Sequence, residues 1–471
     1  MSTPDPAAPT RRTLMVGVPA LAAAALTGLA GCSILEGVAP GSPARALRAI
    51  DSLPTKAKPT TPPADIASST AAALAASNLG RRLLTQRLTA SPRSNALVCP
   101  VGITLTLAIL YAQASTLGKG VAELLADPST GTDADATQRD TRWRRAQLAL
   151  QRFDVASLRQ LQDFDAKKLP EKPLVHVANN LLLVGTAKDS INQSYVDAAR
   201  TWYDADVNYV ALDRAGEALD AWTTLHTGGM IRKSGLTLGA DTRLVIQNAV
   251  LLAARWSLPF RATNTLKDQP FKQPGNSETR ADLLVANGHF TLVEEPDWQA
   301  LRLPYGVVDP SQSTGRGLAL DVVLPRQTIS PTELGEGVWA EATTALTAAE
   351  DKGKQGPEVH LRLPRLDLST EATDLLAELK TMGVELGNLE HLGVGLAVDQ
   401  TVQQARLMVD EEGTVAAALT EANVGVRAPL QEDEPVEFFA DHPFVARIVD
   451  TATGMPVFEV VVMDPASHSA L

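Results

Sequence analysis

The side chains best suited to nucleophilic, acid–base or metal chemistry are few in this chain of 471 residues. With only two cysteines, Cys32 and Cys99, it can have neither a disulfide framework nor a zinc site built mainly from thiolates. Seven histidines are scattered singly, at positions 176, 226, 289, 360, 391, 442 and 468, and each is expected to be a core or surface residue. The Gly-x-Ser-x-Gly, His-Glu-x-x-His and Walker motifs are absent. We therefore predict no metal, no cofactor and no recognisable nucleophile–base pair.

One segment near the carboxyl end departs from the pattern of an ordinary loop. From Thr414 to Val426 every second residue is small or β-branched, and none of these is charged. Because alternate residues of a strand share one face, the segment could enter a sheet with its small side chains buried. It ends at Arg427, Ala428 and Pro429, and an acidic stretch that suits solvent exposure follows. An Ala-rich loop or a short helix is the alternative interpretation.

Composition and charge narrow the class of protein. Hydrophobic residues make up 45% of the chain and charged residues 20%, which is typical of a globular protein. The formal net charge of −12 argues against general nucleic-acid binding, which needs a basic surface. Helical patterns come early and strand patterns dominate late, which favours an α+β fold.

The first 32 residues are predicted to be an export signal. Arg11 and Arg12 precede an apolar run at residues 14–29, which is short for a membrane span of about 20 residues and fits a signal peptide better. The paired arginines match the twin-arginine type. Residues 29–32 resemble a bacterial lipobox, which implies lipidation of Cys32 and an extracellular protein anchored to the cell surface. A plain secretory signal with an incidental Cys32 is the alternative.

The rest of the chain is interpreted as a linker and one large domain. Residues 33–68 are rich in Pro, Ala, Ser and Thr, which favours an extended, solvated linker. Residues 69–466 form the predicted domain, and 467–471 are a short tail. Apolar patterns in the domain predict helices at 71–84, 103–114 and 370–382, the last ended by Gly383, and strands at 174–184, 244–254, 318–324, 361–363, 445–449 and 457–462.

Several ordered blocks of the domain resemble the serpin family of serine protease inhibitors. One block has Asn248 and Ala249 followed by Trp256 and Phe260, and another has the acidic pair and glycine before Thr414. The full set lies at 95–100, 178–181, 222–231, 248–271, 303–305, 323–325, 364–366, 411–414 and 442–458. The resemblance implies one domain of three β-sheets and eight or nine helices with an exposed reactive-centre loop.

The resemblance also implies a mechanism for the alternating segment. In inhibitory serpins a protease cuts the loop and forms an acyl-enzyme, and the freed loop then inserts as a central strand. The hinge of that loop corresponds to Glu411, Gly413, Thr414, Ala416, Ala417 and Ala418. Fourteen positions after Gly413, the family's spacing, lies Arg427, so the reactive bond would be Arg427–Ala428. The alternative is that Arg427 is a solvated loop charge.

An arginine at the reactive bond suits a trypsin-like protease, whose specificity pocket carries an aspartate. Subtilisin-like enzymes that prefer arginine are also compatible. The acidic stretch after the bond could steer a basic protease surface or simply keep the loop solvated.

Two departures from the family pattern bear on this interpretation. Val415 stands where the family has Glu, and Leu419 is bulkier than usual, so insertion could be slowed and the protein cleaved as a substrate. In the shutter region Cys99, Gly102 and Gln403 replace the family's two serines and a histidine, and Asn248 keeps the family's asparagine.

Three functions follow as hypotheses. The first is an extracellular serine protease inhibitor that is consumed rather than catalytic, acts as a monomer, and has a serine protease and, through Cys32, a membrane as partners. The second is a non-inhibitory serpin-fold surface lipoprotein with a binding or structural role. The third is an unrelated lipid-anchored enzyme or solute-binding protein. The hinge composition favours the first over the second, and the ordered blocks disfavour the third.

Overall fold

The fold is built from strands that are buried on both faces and helices that cover them. The computed structural model describes residues 51–52, 70–127, 133–306, 316–353, 355–370, 372–387, 389–396, 398, 401–414 and 434–471. These residues belong to one compact unit, Ala39–Leu471. Within the described residues, no helix is both long enough and apolar enough to cross a bilayer.

Nine α-helices lie in the described part of the chain. They are α1 Thr70–Ala90, α2 Pro100–Leu110, α3 Val121–Leu124, α4 Asp133–Gln151, α5 Leu158–Gln162, α6 Gln193–Tyr203, α7 Leu212–His226, α8 Val338–Asp351 and α9 Leu375–Thr381.

The described strands are numbered in chain order. They are β1 Asp51–Ser52, β2 Ala96–Val98, β3 Leu174–Val184, β4 Asp206–Val210, β5 Leu244–Arg255, β6 Leu266–Gln273, β7 Ser277–His289, β8 Thr291–Glu294, β9 Trp298–Pro304, β10 Leu318–Pro325, β11 Glu358–Pro364, β12 Leu366–Thr370, β13 Thr373–Asp374, β14 Val402–Gln403, β15 Arg406–Val409, β16 Gly413–Thr414, β17 Val436–Phe439, β18 Phe444–Asp450, β19 Met455–Val462 and β20 Ser469–Ala470.

An eight-stranded sheet, the central sheet, is the largest element of the fold. Its strand order is β1-β4-β3-β5-β16-β15-β12-β20. Strands β3 and β5 pair over ten residues and are mostly buried, as expected for apolar strands covered on both faces. Strand β1, which falls within the predicted linker, pairs with the edge strand β4.

Two further sheets and a short strand pair complete the described architecture. A six-stranded sheet has the order β2-β19-β18-β10-β9-β8, and a four-stranded sheet has the order β17-β11-β7-β6. The two-stranded pair joins β13 and β14. Helices α1 and α2 pack against β19 and also against each other. The predicted α+β fold is thereby confirmed.

Most predicted elements are confirmed, but all three predicted helices differ in their bounds. The helix predicted at 71–84 spans Thr70–Ala90. The helix predicted at 103–114 instead begins at Pro100 and ends at Leu110. It begins at Pro100 because proline is preorganised for the first helical turn. The predicted helix at 370–382 begins only at Leu375, where the Asp374 carboxylate accepts the Leu376 N–H at 3.0 Å. The two residues before it, Thr373 and Asp374, form strand β13 and pair with β14.

Candidate functional site

The hinge identified from sequence lies inside the central sheet. Strand β16, formed by Gly413 and Thr414, sits between the end of β5 and β15 and is antiparallel to both. Thr414 faces Ala254 on β5 and Val409 on β15 in the register. Thr414, the first residue of the alternating segment, thus already lies between two strands of the central sheet.

Gly413 is required by the close approach of β16 to β5. A Cβ atom at Gly413 would lie 2.1 Å from the Ala254 carbonyl oxygen and 2.8 Å from the Arg255 Cα atom. Those atoms are backbone and cannot move aside as a flexible side chain would. A glycine is therefore needed where the chain enters the sheet.

Thr414 is anchored by an aromatic pair. The indole of Trp256 stacks on the ring of Tyr305 with centroids 4.5 Å apart. The Tyr305 hydroxyl lies 2.6 Å from the Thr414 hydroxyl, and the Thr414 residue is 1% exposed. Burial raises the pKa of Tyr305, so the phenol stays neutral and can exchange a hydrogen bond with the threonine.

The turn before β16 is stabilised by hydrogen bonds to Asp410. The Asp410 carboxylate accepts the N–H groups of Glu412 at 2.9 Å and Gly413 at 3.3 Å. The Asp410 carbonyl oxygen accepts the indole N–H of Trp256 at 2.8 Å. Burial raises the pKa of Asp410. This turn reverses the chain from β15 into β16.

Glu411 ties the turn to two neighbouring segments. Its Oε2 atom lies 2.9 Å from a guanidinium nitrogen of Arg365, and its Oε1 atom accepts the Thr265 hydroxyl at 2.7 Å. The backbone carbonyl oxygen of Glu411 accepts the Phe260 N–H at 2.7 Å. The glutamate thus fixes the hinge to the ends of β11 and β6.

The predicted shutter residues meet beneath the centre of the sheet. The Gln403 side-chain oxygen accepts the Cys99 N–H at 3.1 Å, and its amide nitrogen donates to the Cys99 carbonyl oxygen, also at 3.1 Å. Gln403 therefore satisfies both backbone groups of the residue that begins α2. Burial raises the pKa of the Cys99 thiol to about 12, so Cys99 is an inert small side chain.

Asn248 joins the same cluster from β5. A Cβ atom at Gly102 would lie 2.4 Å from Asn248 Oδ1, so the missing serine at position 102 leaves room for this amide. Asn248 donates to Asn179 Oδ1 at 2.8 Å and to the Ala178 carbonyl oxygen at 3.3 Å. The asparagine thereby links β5 with β3 on one side and approaches α2 on the other.

A cavity lies between the middle of β5 and the residues of and next to β14. It has a volume of about 50 Å³ and is bordered by Ile246–Val250 of β5 and by Val402–Gln404. Thr223, Thr227 and Leu236, from the end of α7 and the chain after it, line the cavity too. We call the space between β5 and residues 402–409 the central cleft.

The remaining predicted site residues lie outside the described residues. These are the hinge alanines Ala416, Ala417 and Ala418, the reactive bond Arg427–Ala428, the departures Val415 and Leu419, and the lipidation residue Cys32. The chain is described again from Glu434 onward and enters the four-stranded sheet as β17, parallel to β11. Within the described part of the chain, no group of three or more His, Cys, Asp or Glu residues is arranged to hold a metal ion.

The family assignment rests on a family model that matches most of the chain. The model of the family described as Serpin (serine protease inhibitor) matches residues 74–465. The chain belongs to the serpin family. Members of this family are protease inhibitors in general rather than catalysts, and the fold predicted from the resemblance is confirmed.

Curated relatives of this serpin come from distant organisms. It is 30% identical over 290 residues to an uncharacterized serpin-like protein of Thermococcus kodakarensis, a match that covers 59% of this chain and 63% of the relative. It is 27% identical over 303 residues to human Serpin B11, covering 60% of this chain and 72% of the relative. The match thus spans less than two thirds of the Thermococcus protein.

Solved structures share the fold of this serpin. Tengpin, a thermophilic serpin in its native state, has a TM-score of 0.63 at 17% identity, with 88% of this chain and 97% of that chain covered. Human thyroxine-binding globulin has the same TM-score and identity, with 85% and 99% covered. At such identities the likeness concerns the fold alone.

Four residues at the hinge of this serpin had no role in the sequence analysis. They are Trp256, Tyr305, Thr265 and Arg365, which contact residues 410–414. Each lies in a sequence block that resembles the family. The resemblance therefore marked these positions but did not indicate what their side chains contact. Their contacts join residues far apart in sequence, which local patterns do not reveal.

Proposed function

We propose that this serpin is an extracellular inhibitor of a serine endopeptidase that is consumed as a suicide substrate. The protease cleaves Arg427–Ala428 and forms an acyl-enzyme with the Arg427 carbonyl carbon, releasing the Ala428 amine. The segment that follows Gly413 then enters the central cleft as a strand. Its backbone gains hydrogen-bond partners on both sides and its small side chains become buried, which makes insertion favourable.

The observation that carries this proposal is the position of β16. Its two residues lie between β5 and β15, and the cavity of the central cleft continues from there along β5. Residues 415–426 can extend β16 because the alternation of small residues continues from Thr414, which is itself buried. Insertion therefore lengthens a strand that exists rather than nucleating a new one.

Incubation with trypsin tests the proposal directly. We expect a covalent complex that survives a denaturing gel, with new N-terminal sequence beginning at Ala428. Replacing Arg427 with Ala removes the cation that a trypsin-like pocket recognises, and we expect the rate of complex formation to fall by about 100-fold or more. The control is Arg406→Ala, which removes an exposed arginine on β15 that pairs with Asp367.

The outcomes of this assay separate the candidate functions. Cleavage at Arg427 with a complex supports inhibition. Cleavage without a complex supports the non-inhibitory serpin, in which Val415 and Leu419 slow insertion until the protease escapes. A complex that forms equally well with the Arg427→Ala protein would place the reactive bond elsewhere in the loop.

We further propose that Cys32 carries lipid and holds the inhibitor at the cell surface after export. The proposal rests on the paired arginines, the short apolar run and the Leu-Ala-Gly-Cys sequence. Replacing Cys32 with Ser removes the thiol that would be acylated, so the protein is expected to move from the membrane fraction to the medium. Fractionation and immunoblotting measure this shift, with Cys99→Ser as the control that changes the other cysteine. Retention of the Cys32→Ser protein in the membrane fraction would contradict the anchor.

A further inference from the structure

Two histidines that the sequence analysis treats as separate form a buried pair in the structure. His176 lies on β3 and is 6% exposed, and His226 is the last residue of α7 and is 5% exposed. His176 Nε2 and His226 Nδ1 are 2.9 Å apart. On the other side of the first ring, His176 Nδ1 lies 2.7 Å from Asp154 Oδ1. We call His176 and His226 the histidine pair.

The hydrogen-bond partners determine which ring nitrogens of His176 and His226 carry a proton. The Asp154 carboxylate only accepts, so His176 donates from Nδ1, and neutral His176 then accepts at Nε2 the proton of His226 Nδ1. A single added proton is tolerated, because His176 as an imidazolium can donate to an unprotonated His226 Nδ1. When both rings are charged, each presents a proton to the other across 2.9 Å and the contact becomes repulsive.

The two rings of the histidine pair have different surroundings. Asp154 contacts His176, and Asp206 on β4 interacts electrostatically with it. His226 instead packs against the indole of Trp222, with ring centroids 4.5 Å apart. Burial, and then the nearby His176, lowers the pKa of His226 to about 3. Burial therefore disfavours a charged His226 in the closed pair.

The histidine pair fastens the end of the helix that covers the central cleft. The earlier turns of α7 pack on the sheet through an apolar cluster that includes Leu219, Leu182 and Val245. The last turn is joined to the sheet by polar contacts, with the Gln247 amide donating to the Thr223 hydroxyl at 3.2 Å and His226 bonded to His176. Thr223 and Thr227, on either side of His226 in sequence, line the cavity of the cleft.

We propose that the histidine pair is a pH-sensitive fastening that holds the last turn of α7 over the central cleft and is released by protonation of His226 in acid. The released turn uncovers the cleft, so an intact loop can enter without cleavage and the inhibitor is lost. This last consequence rests on the proposed function, whereas the fastening itself does not.

The direction of the effect follows from proton linkage. Folding of the turn onto the sheet depresses the pKa of His226 below its ordinary value of 6.5, so the closed state is fully stable above that pH and loses stability as the pH falls toward about 3. At pH 5 an open His226 is mostly charged and a closed one is neutral. The closed-to-open equilibrium constant is therefore expected to fall by about 30-fold between pH 8 and pH 5, because 1.5 pH units separate pH 5 from the open-state pKa.

Hydrogen exchange of the intact protein tests the fastening without any protease. Amides in the last turn of α7, compared at pH 8 and pH 5 after correction for the intrinsic rate, should lose about 30-fold in protection. His226→Asn places an amide N–H where Nδ1 was, so it keeps the bond to His176 but cannot titrate, and its protection should be the same at both pH values. His226→Phe lacks the donor and should be poorly protected at both.

The control is His391→Asn, because His391 is half-buried and contacts Leu110, Tyr111 and Tyr195 instead of α7. This variant should keep the pH-dependent exchange of the wild type in α7. Equal protection of wild-type α7 at pH 5 and pH 8, or a pH dependence that persists in His226→Asn, would overturn the proposal. The Asn variant decides the question even where His226→Phe fails to fold.

A second measurement connects the fastening to inhibition. The protein is held at pH 5 or pH 8, returned to pH 8, and titrated for trypsin-binding capacity. Wild type should lose capacity faster at pH 5, and His226→Asn should not. A wild type that never traps trypsin would refute the proposed function, while the exchange result would still decide the fastening. A trapping wild type whose capacity decays equally at both pH values would refute the link to the cleft.

Discussion

Replacing Thr414 with Arg is expected to turn the inhibitor into a substrate of the same protease. Thr414 is 1% exposed, and its hydroxyl is bonded to Tyr305 between β5 and β15. A guanidinium at that position has no carboxylate among these contacts, and an unpaired buried charge costs several kcal/mol. Each 1.4 kcal/mol added to the insertion barrier slows insertion about tenfold. The protease then hydrolyses its acyl-enzyme before the strand is in place.

A denaturing gel with a densitometric count of both products measures this change. Wild type should give mainly covalent complex, and Thr414→Arg should give cleaved protein with an unchanged cleavage site and little complex. Thr344→Arg is the matched control, because it makes the same substitution on the exposed face of α8. If Thr414→Arg forms complex as efficiently as Thr344→Arg, insertion does not begin at β16.

The hinge and shutter residues were assigned from the resemblance to the serpin family, by motif and by position. The glycine and threonine of the hinge were identified from the acidic pair before them, and the structure places both in one strand. The shutter residues Cys99, Asn248 and Gln403 were assigned by position. In the structure Cys99 and Gln403 are hydrogen-bonded, and all three residues line the same cavity. Alternation also indicated that Thr414 would face the core, and it is buried.

The parts that depend on tertiary contact were not predictable. The Glu411–Arg365 pair and the Thr414–Tyr305 bond join segments that no periodicity relates. The histidine pair belongs to the same class, because its members come from a strand and from the helix that crosses it. The helix predicted at 370–382 begins late for a related reason, since Thr373 and Asp374 pair with β14 instead of joining the helix.

The hinge contacts and the cleft have opposite effects on the loop. In the proposed mechanism, the contacts of Glu411 hold residues 410–413 at the place where insertion would start. The end of α7 and the chain after it line the space through which insertion would proceed. A loop that stays paired at both ends, as β16 and as β17, cannot lie fully extended in the cleft, so an intact loop would enter only after β17 separates from β11. Cleavage removes the second attachment, which is why a single peptide bond can control the whole rearrangement.

Cleavage at Arg427 is therefore expected to raise the melting temperature of this serpin strongly. Residues 415–426 would add about ten ladder hydrogen bonds at roughly 1 kcal/mol each, together with the burial of small apolar side chains. One kcal/mol raises the melting temperature of a large domain by about 1–2 °C, so the rise should be on the order of 20 °C. Circular dichroism before and after limited trypsin treatment measures it. Thr414→Arg protein cleaved at the same bond is the control, and it should melt near the temperature of the uncleaved form. A cleaved wild type that melts where the intact protein does would show that the segment stays outside the sheet, because no other change expected from one cut in a loop is stabilising.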